Sequence, residues 1–396
     1  MSSTGIPTRP SREEIVERVS ALVPVLREQA AWSEENRRLS EETVATLAEA
    51  GVFRLRTPVR YGGYECDTST LVEVAMELGR ADGAIAWTSS VFWIPTWIAG
   101  LFPDRAQDEV FTSAAPRVCG TNSPTGTAVP TEGGIVLNGS WKFVSGAWHA
   151  GWQEIAAILL RPDAEPEPIM GLVPIGDLQL VDDWHTSALR GSGSVTTIAE
   201  NLFVPEHRII PMGAAMRPQG LSEANADSPV WRTPASLVAA ASGVGVAVGL
   251  AKAALEVFFE RLPGRKITYT DYTVQSEAPV THLRIAEAVN SIDQAEFHAR
   301  RGAATVDAKA ATGEPWKPEE RARVRNDQGE ATRLAKHAID LLVNISGGSS
   351  IFLDVPLQRI ARDIQAVSLH ALINPDTNTE LYGRVLCGLE PNTLYI

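Results

Sequence analysis

The chain has 396 residues, of which 44% are hydrophobic and 21% charged, enough apolar material for a sizeable core and enough to exclude wholesale disorder. A formal net charge of −13 argues against nucleic acid or an anionic membrane as the main partner, because both need a basic surface. Three widely spaced cysteines, Cys66, Cys119 and Cys387, give no disulfide framework. The N-terminal stretch lacks the apolar core of a signal peptide, and no run of ~18 apolar residues occurs, so a cytoplasmic protein is expected.

Taken in chain order, residues 1–115 read as a helical domain. Ser11 to Ala30 and Ser40 to Gly51 carry apolar residues at three- and four-residue spacing, with Ser11 and Ser40 as N-caps and Gly51 as a C-cap. Leu71 to Ala81 and Ile85 to Phe102 continue the pattern, and Pro103 opens the next turn. Residues 116–228 change character, with prolines and glycines punctuating short apolar runs at Gly134–Val144, Glu154–Leu160, Ile169–Pro174 and Val195–Val204. That pattern predicts an antiparallel β domain, followed by a loop from Met212 to Pro229. Residues 229–396 return to the helical period in Pro234–Arg261, Ala278–Thr312, Pro318–Ser346, Pro356–Leu372 and Asn378–Cys387, a helical bundle. The fold class is α+β: helices, then a β domain, then a bundle.

Several chemistries are missing. No H-E-x-x-H or C-x-x-C occurs and the histidines do not pair at ligand spacing, so no metal site is expected. No G-x-S-x-G elbow is present. GVGVAVG at 243–249 has the wrong spacing for a dinucleotide fingerprint and lies inside an Ala-rich helical segment, where close helix packing explains it better. RGSGS at 190–194 reads as a tight turn. One stretch stands out: WKFVSGAWHAGW at 141–152 crowds three tryptophans, a serine and a histidine together, as core packing or as the wall of a pocket.

Specific motifs carry a resemblance. CGTNSPTGT at 119–127, NGSWKFVSGAWHA at 138–150, LRGSGS at 189–194, LFVPEHRI at 202–209 and SGGSSIFLDVPLQRIARD at 346–363 together resemble the acyl-CoA dehydrogenase fold. That fold has an N-terminal helical domain, a middle β domain and a C-terminal four-helix bundle, and the resemblance covers nearly the whole chain. It implies a flavin held by Gly120, Thr121, Gly126 and Thr127, stacked on Phe143, touched by Ser145, and approached by Arg265, Gly347 and Gly348. In a dehydrogenase a glutamate removes the substrate α-proton. Here the family's Tyr-Glu-Gly falls on His370-Ala371-Leu372, so Ala371 replaces the carboxylate. Residues 228–255, where some members place that glutamate, contain no Asp or Glu.

The segments 92–111, 145–152 and 362–371 resemble instead the two-component flavin monooxygenases of this fold. In those, a separate NAD(P)H:flavin reductase supplies FADH2 or FMNH2, oxygen adds at flavin C4a, and the hydroperoxide oxygenates the substrate. The resemblance implies an oxygenase component, a homo-oligomer (by resemblance a tetramer), acting on a small aromatic or polycyclic molecule. Ser145 is expected to hold the flavin N5 proton and His370 to act as acid, base or substrate anchor, since imidazole titrates near neutrality. Trp93, Trp97, Trp148 and His149 are expected to line the substrate. Each assignment has a packing alternative: Ser145 as a strand-end turn residue, His370 as a satisfied core histidine, the tryptophans as core. The rival functions are an N-oxygenase of an amine or amino sugar, a dehydrogenase with an unrecognised base, and a non-catalytic flavin-binding protein.

Overall fold

The computed structural model describes residues 9–217, 220–393 and 395–396. Among the described residues six α-helices come first: α1 (Arg12–Ser20), α2 (Val23–Asn36), α3 (Glu41–Glu49), α4 (Thr68–Ala81), α5 (Gly83–Ala99) and α6 (Asp104–Val110). Ser11 closes a capping box with Glu14, and the Ser40 hydroxyl accepts from Thr43 N at 3.0 Å, as their positions predict. The single helix expected over Ser11–Ala30 is two, because Pro24 cannot donate within a helix and instead opens the first turn of α2. Asp82 caps α5, accepting from Ala84 N at 2.9 Å and Ile85 N at 3.0 Å. α5 is apolar around almost its whole circumference and packs against α4, the sheet and the bundle at once.

Eight strands follow: β1 (Val118–Gly120), β2 (Gly126–Thr131), β3 (Gly134–Val144), β4 (Trp152–Leu159), β5 (Glu167–Pro174), β6 (Gln179–Val181), β7 (Val195–Pro205) and β8 (Ile209–Pro211). The order is β6-β7-β3-β2-β4-β5-β8, with β1 on β4. The sheet is mixed, which corrects the antiparallel expectation: β1 and β2 both run parallel to β4. They are two pieces of one interrupted strand. Gly120 pairs with Glu154 and Gly126 with Ala157, so five residues on one side face two on the other, and residues 121–125 are thrown out as a loop.

The stretch expected as a loop from Met212 begins with a short helix, α7 (Met212–Met216). The bundle is α8 (Ala235–Arg261), α9 (Pro279–Thr312), α10 (Pro318–Ser346), α11 (Pro356–Ser368) and α12 (Pro375–Leu386). α8 is long and apolar enough to cross a membrane, yet 89% of its apolar window is buried inside the protein. GVGVAVG is indeed a close-packing device: a Cβ on Gly245 would sit 2.6 Å from the Ala75 Cβ on α4.

Candidate active site

The site begins at a bulge. Between Trp141 and Val144 the β3–β7 register slips, so that one extra residue on β3 is left unpaired. Phe143 takes that position with φ at +63°, an uncommon conformation for a bulky residue. Its ring is thereby turned out of the sheet, 68% exposed, with Trp184 edge-on at 6.0 Å. Two residues on, Ser145 is buried at the strand end. Its Oγ accepts from Trp87 Nε1 at 3.2 Å and lies 2.7 Å from Ser194 Oγ, which is itself 2.7 Å from Ser192 Oγ.

Three elements converge to build this chain. α5 supplies Trp87, β3 supplies Ser145, and the turn before β7 supplies both remaining serines. Asp363, the acid of the R-D run on α11, accepts from Leu189 N at 2.7 Å and pins that turn. Burial, with Asp82 close by, pushes the Asp363 carboxyl well above the usual carboxylate range.

His370 reaches the same place from the bundle. α11 ends at Ser368, two residues short of the expected helical position, and His370 lies in the turn beyond it. Its ring meets the Trp87 indole edge-on, centroids 5.2 Å apart. His370 keeps part of its surface exposed, yet protein crowds around the ring. That desolvation, with the Arg325 charge, pushes the imidazole down to about 4. It is therefore neutral across the physiological range.

The other expected flavin residues divide into two groups. Gly120, Thr121, Gly126 and Thr127 border or form the loop between β1 and β2; a Cβ on Gly126 would lie 2.6 Å from the Trp141 ring. Arg265, Gly347 and Gly348 gather at the far end of α10, where Arg265 donates to the Ser346 carbonyl. Gly347 has φ +66° and ψ −179°, a conformation essentially confined to glycine. An exposed aromatic face, a glycine-bordered loop and a hydroxyl with acceptor capacity to spare fit a flat heteroaromatic cofactor such as flavin.

Trp93 and Trp97, expected to line the substrate, are turned into the protein interior. Both are almost fully buried, and their indole N–H groups donate to Val52 O at 2.8 Å and Val230 O at 2.9 Å. At ~100° per residue they lie about 120° and 80° round the helix from Trp87. His149 is also turned elsewhere: Nδ1 lies 3.5 Å from Glu41 Oε1 at the start of α3. Desolvation lowers its pKa, while Glu41 opposes the shift. Trp148 is 37% exposed and packs beside Gly193, next to the serine turn. Sequence reasoning passed over Trp87, Ser192 and Ser194. RGSGS carried both serines but read only as a turn.

Two family domains match the chain: acyl-CoA dehydrogenase N-terminal domain over residues 10–107 and acyl-CoA dehydrogenase C-terminal domain over residues 241–375. Fold and site thus define a flavoprotein of the acyl-CoA dehydrogenase class. The flavin-dependent monooxygenase oxygenase subunit HsaA of Rhodococcus jostii is 30% identical over 375 residues, 94% of this chain and 98% of that protein. The oxygenase component of an FADH(2)-dependent resorcinol hydroxylase from Rhizobium sp. is 30% identical over 394 residues, 96% of each chain. The structure of XiaF from Streptomyces sp. in complex with FADH2 and glycerol superposes with a TM-score of 0.91 at 33% identity, covering 96% of this chain and 97% of that one. The chain belongs to the oxygenase components of flavin-dependent monooxygenases.

Proposed function

We propose that this protein takes reduced flavin from a separate NAD(P)H-dependent reductase and hydroxylates a small aromatic or polycyclic substrate. The observation that carries the reading is the convergence of Ser145, Trp87 and His370 where a dehydrogenase would need a carboxylate. The first acid on α8, Glu256, is occupied by Arg27 and Arg80. Relatives named for aromatic hydroxylation support the substrate class.

Reduced flavin, when bound, supplies the electrons with which dioxygen is activated. Phe143, Gly120, Thr121, Gly126 and Thr127 would hold it, with Arg265, Gly347 and Gly348 meeting a flavin of the oligomer. Ser145 has two acceptor lone pairs and one hydrogen. Trp87 occupies one lone pair; when the Ser145 hydrogen points at Ser194, the second lone pair is left to accept an N–H from the site. The serine chain therefore keeps a proton in place at that atom. Trp87 covers the other side and helps exclude water. His370, held toward its neutral form and beside the Trp87 ring, accepts the phenolic or indolic proton of the substrate.

Exposed apolar side chains near the Gly347 end, Ile351 at 74%, Phe352 at 65%, Leu353 at 83% and Tyr269 at 103%, support a homo-oligomer, a tetramer in this reading. A cytoplasmic location accompanies it, where reductase and reduced flavin are available.

The test supplies reduced FMN or FAD, isotopically labelled dioxygen and a panel of phenols and indoles. Label in the ring product supports the reading. Bleaching of oxidised flavin by an acyl-CoA, with no labelled product, overturns it.

A further inference from the structure

Glu154 has no place in the chemistry above. It sits on β4, 1% exposed, in parallel register with Gly120. Neither carboxyl oxygen has a hydrogen-bond partner among the described residues. A Cβ on Gly120 would lie 2.5 Å from Glu154 Oε2, so the carboxyl lies over the residue from which the 121–125 loop departs. Two residues into that loop, Asn122 Oδ1 is likewise buried without a partner.

The C-terminal tail closes this place. Tyr395 donates its hydroxyl to Asn122 O at 3.2 Å, and burial, with Glu154 close by, raises its pKa. Its main-chain carbonyl accepts from Arg325, the guanidinium whose charge acts on His370. Through Tyr395 and Arg325 the tail thus links the loop that carries the orphaned acceptors to the surroundings of His370.

Buried polar atoms without partners cost ~1–3 kcal/mol each, a cost that a ligand removes by supplying what is missing. Burial alone pushes the Glu154 carboxyl up to about 8, so it is largely neutral at physiological pH and its carbonyl oxygen remains an acceptor. Cys119 beside it is desolvated in the same way and holds on to its proton.

We propose that Glu154 and Asn122 form a specificity subsite for a neutral hydrogen-bond donor, a hydroxyl or N–H, at the end of the aromatic substrate remote from the carbon that is hydroxylated. The inference rests on the hydroxylase reading. A carboxylate at that end is disfavoured, because a buried anion would have no cation beside it: burial is the one cause acting on Glu154. It also explains Gly120: any side chain there would fill the space the carboxyl needs.

The test uses three probes: a naphthol, a dihydroxynaphthalene with hydroxyls on opposite rings, and the matching hydroxynaphthoic acid. Binding is measured by quenching of tryptophan fluorescence, with and without flavin, and turnover by product analysis. The wild-type protein is expected to bind the dihydroxy probe about tenfold more tightly than the naphthol, and the acid most weakly. Glu154→Leu should abolish the tenfold preference while leaving flavin affinity unchanged, and the isosteric Glu154→Gln should keep most of it. Equal affinity of the wild-type protein for naphthol and dihydroxy probe overturns the subsite without any variant. So does a Glu154→Gln or Glu154→Leu protein that loses flavin affinity as much as probe affinity, which would assign the carboxyl to the cofactor. Failure of the underlying reading looks different, because no probe would then gain labelled oxygen whatever its affinity.

Discussion

The Trp87 indole is shared between two catalytic candidates: its N–H donates to Ser145 Oγ at 3.2 Å, and its ring stands edge-on to His370 at 5.2 Å. Trp87→Phe separates the two contacts, deleting the hydrogen bond and keeping the ring. Product per reduced flavin should fall several-fold and hydrogen peroxide should rise, while thermal stability drops by no more than ~1–2 kcal/mol. Peroxide and product assayed on the same sample decide it; unchanged coupling would mean that the indole only packs.

The serine chain implies a graded, non-additive series. Ser145→Ala removes the acceptor itself and should uncouple the reaction most severely. Ser194→Ala leaves Ser145 but frees its rotor, and should uncouple partially. The double variant should be no worse than Ser145→Ala alone, because both act through one atom. Additive losses would show that Ser194 acts separately.

His370 gives a pH signature with a definite sign. Its native value, about 4, lies below the ordinary 6.5, so the unfolded chain binds the extra proton first. Stability contributed by the neutral ring is present above pH 6.5 and is lost as pH falls from there toward about 4. In His370→Gln that slope should disappear from thermal melts taken across the same window. Hydroxylation of a phenol by the wild-type protein should hold a plateau through neutral pH on this group's account, and His370→Gln should lower the plateau by ~10²-fold or more.

Phe143 sets backbone strain against ligand contact. Phe143→Gly relieves the positive φ and should leave thermal stability unchanged or raised by up to ~1–2 kcal/mol. It also removes the exposed ring, so flavin affinity measured by fluorescence titration should weaken by roughly three- to tenfold. A glycine variant with wild-type flavin affinity would remove Phe143 from the cofactor site.

Much of this was legible from residue order. Helical period, caps and turn residues located the helical elements, and the motif at 138–150 placed Ser145 at a strand end. Pro24 was also a readable break, overlooked within an otherwise periodic run. Other features could not be read, for physical reasons. Density of tryptophan says nothing about which face of an almost wholly apolar helix meets a ligand, so the contacts of Trp87 with Ser145 and His370 cannot be told in sequence from the buried settings of Trp93 and Trp97. A positive φ at a phenylalanine is imposed by a register slip between distant strands. Glu154 lies in an apolar strand where nothing local reveals whether a buried acid is paired, and the residues that decide it come from β1 and from the end of the chain.

The interrupted strand has a consequence of its own. Because Gly120 and Gly126 are each hydrogen-bonded into β4, the ends of the 121–125 segment are fixed from outside it. The segment is therefore an exchangeable cassette. Its length and chemistry can be rewritten while the two splice points stay in register, and each added residue costs only a fraction of a kcal/mol in closure entropy, ~0.6 kcal/mol per doubling. Divergence among oxygenases of this architecture has a place to happen here without the sheet having to be solved again.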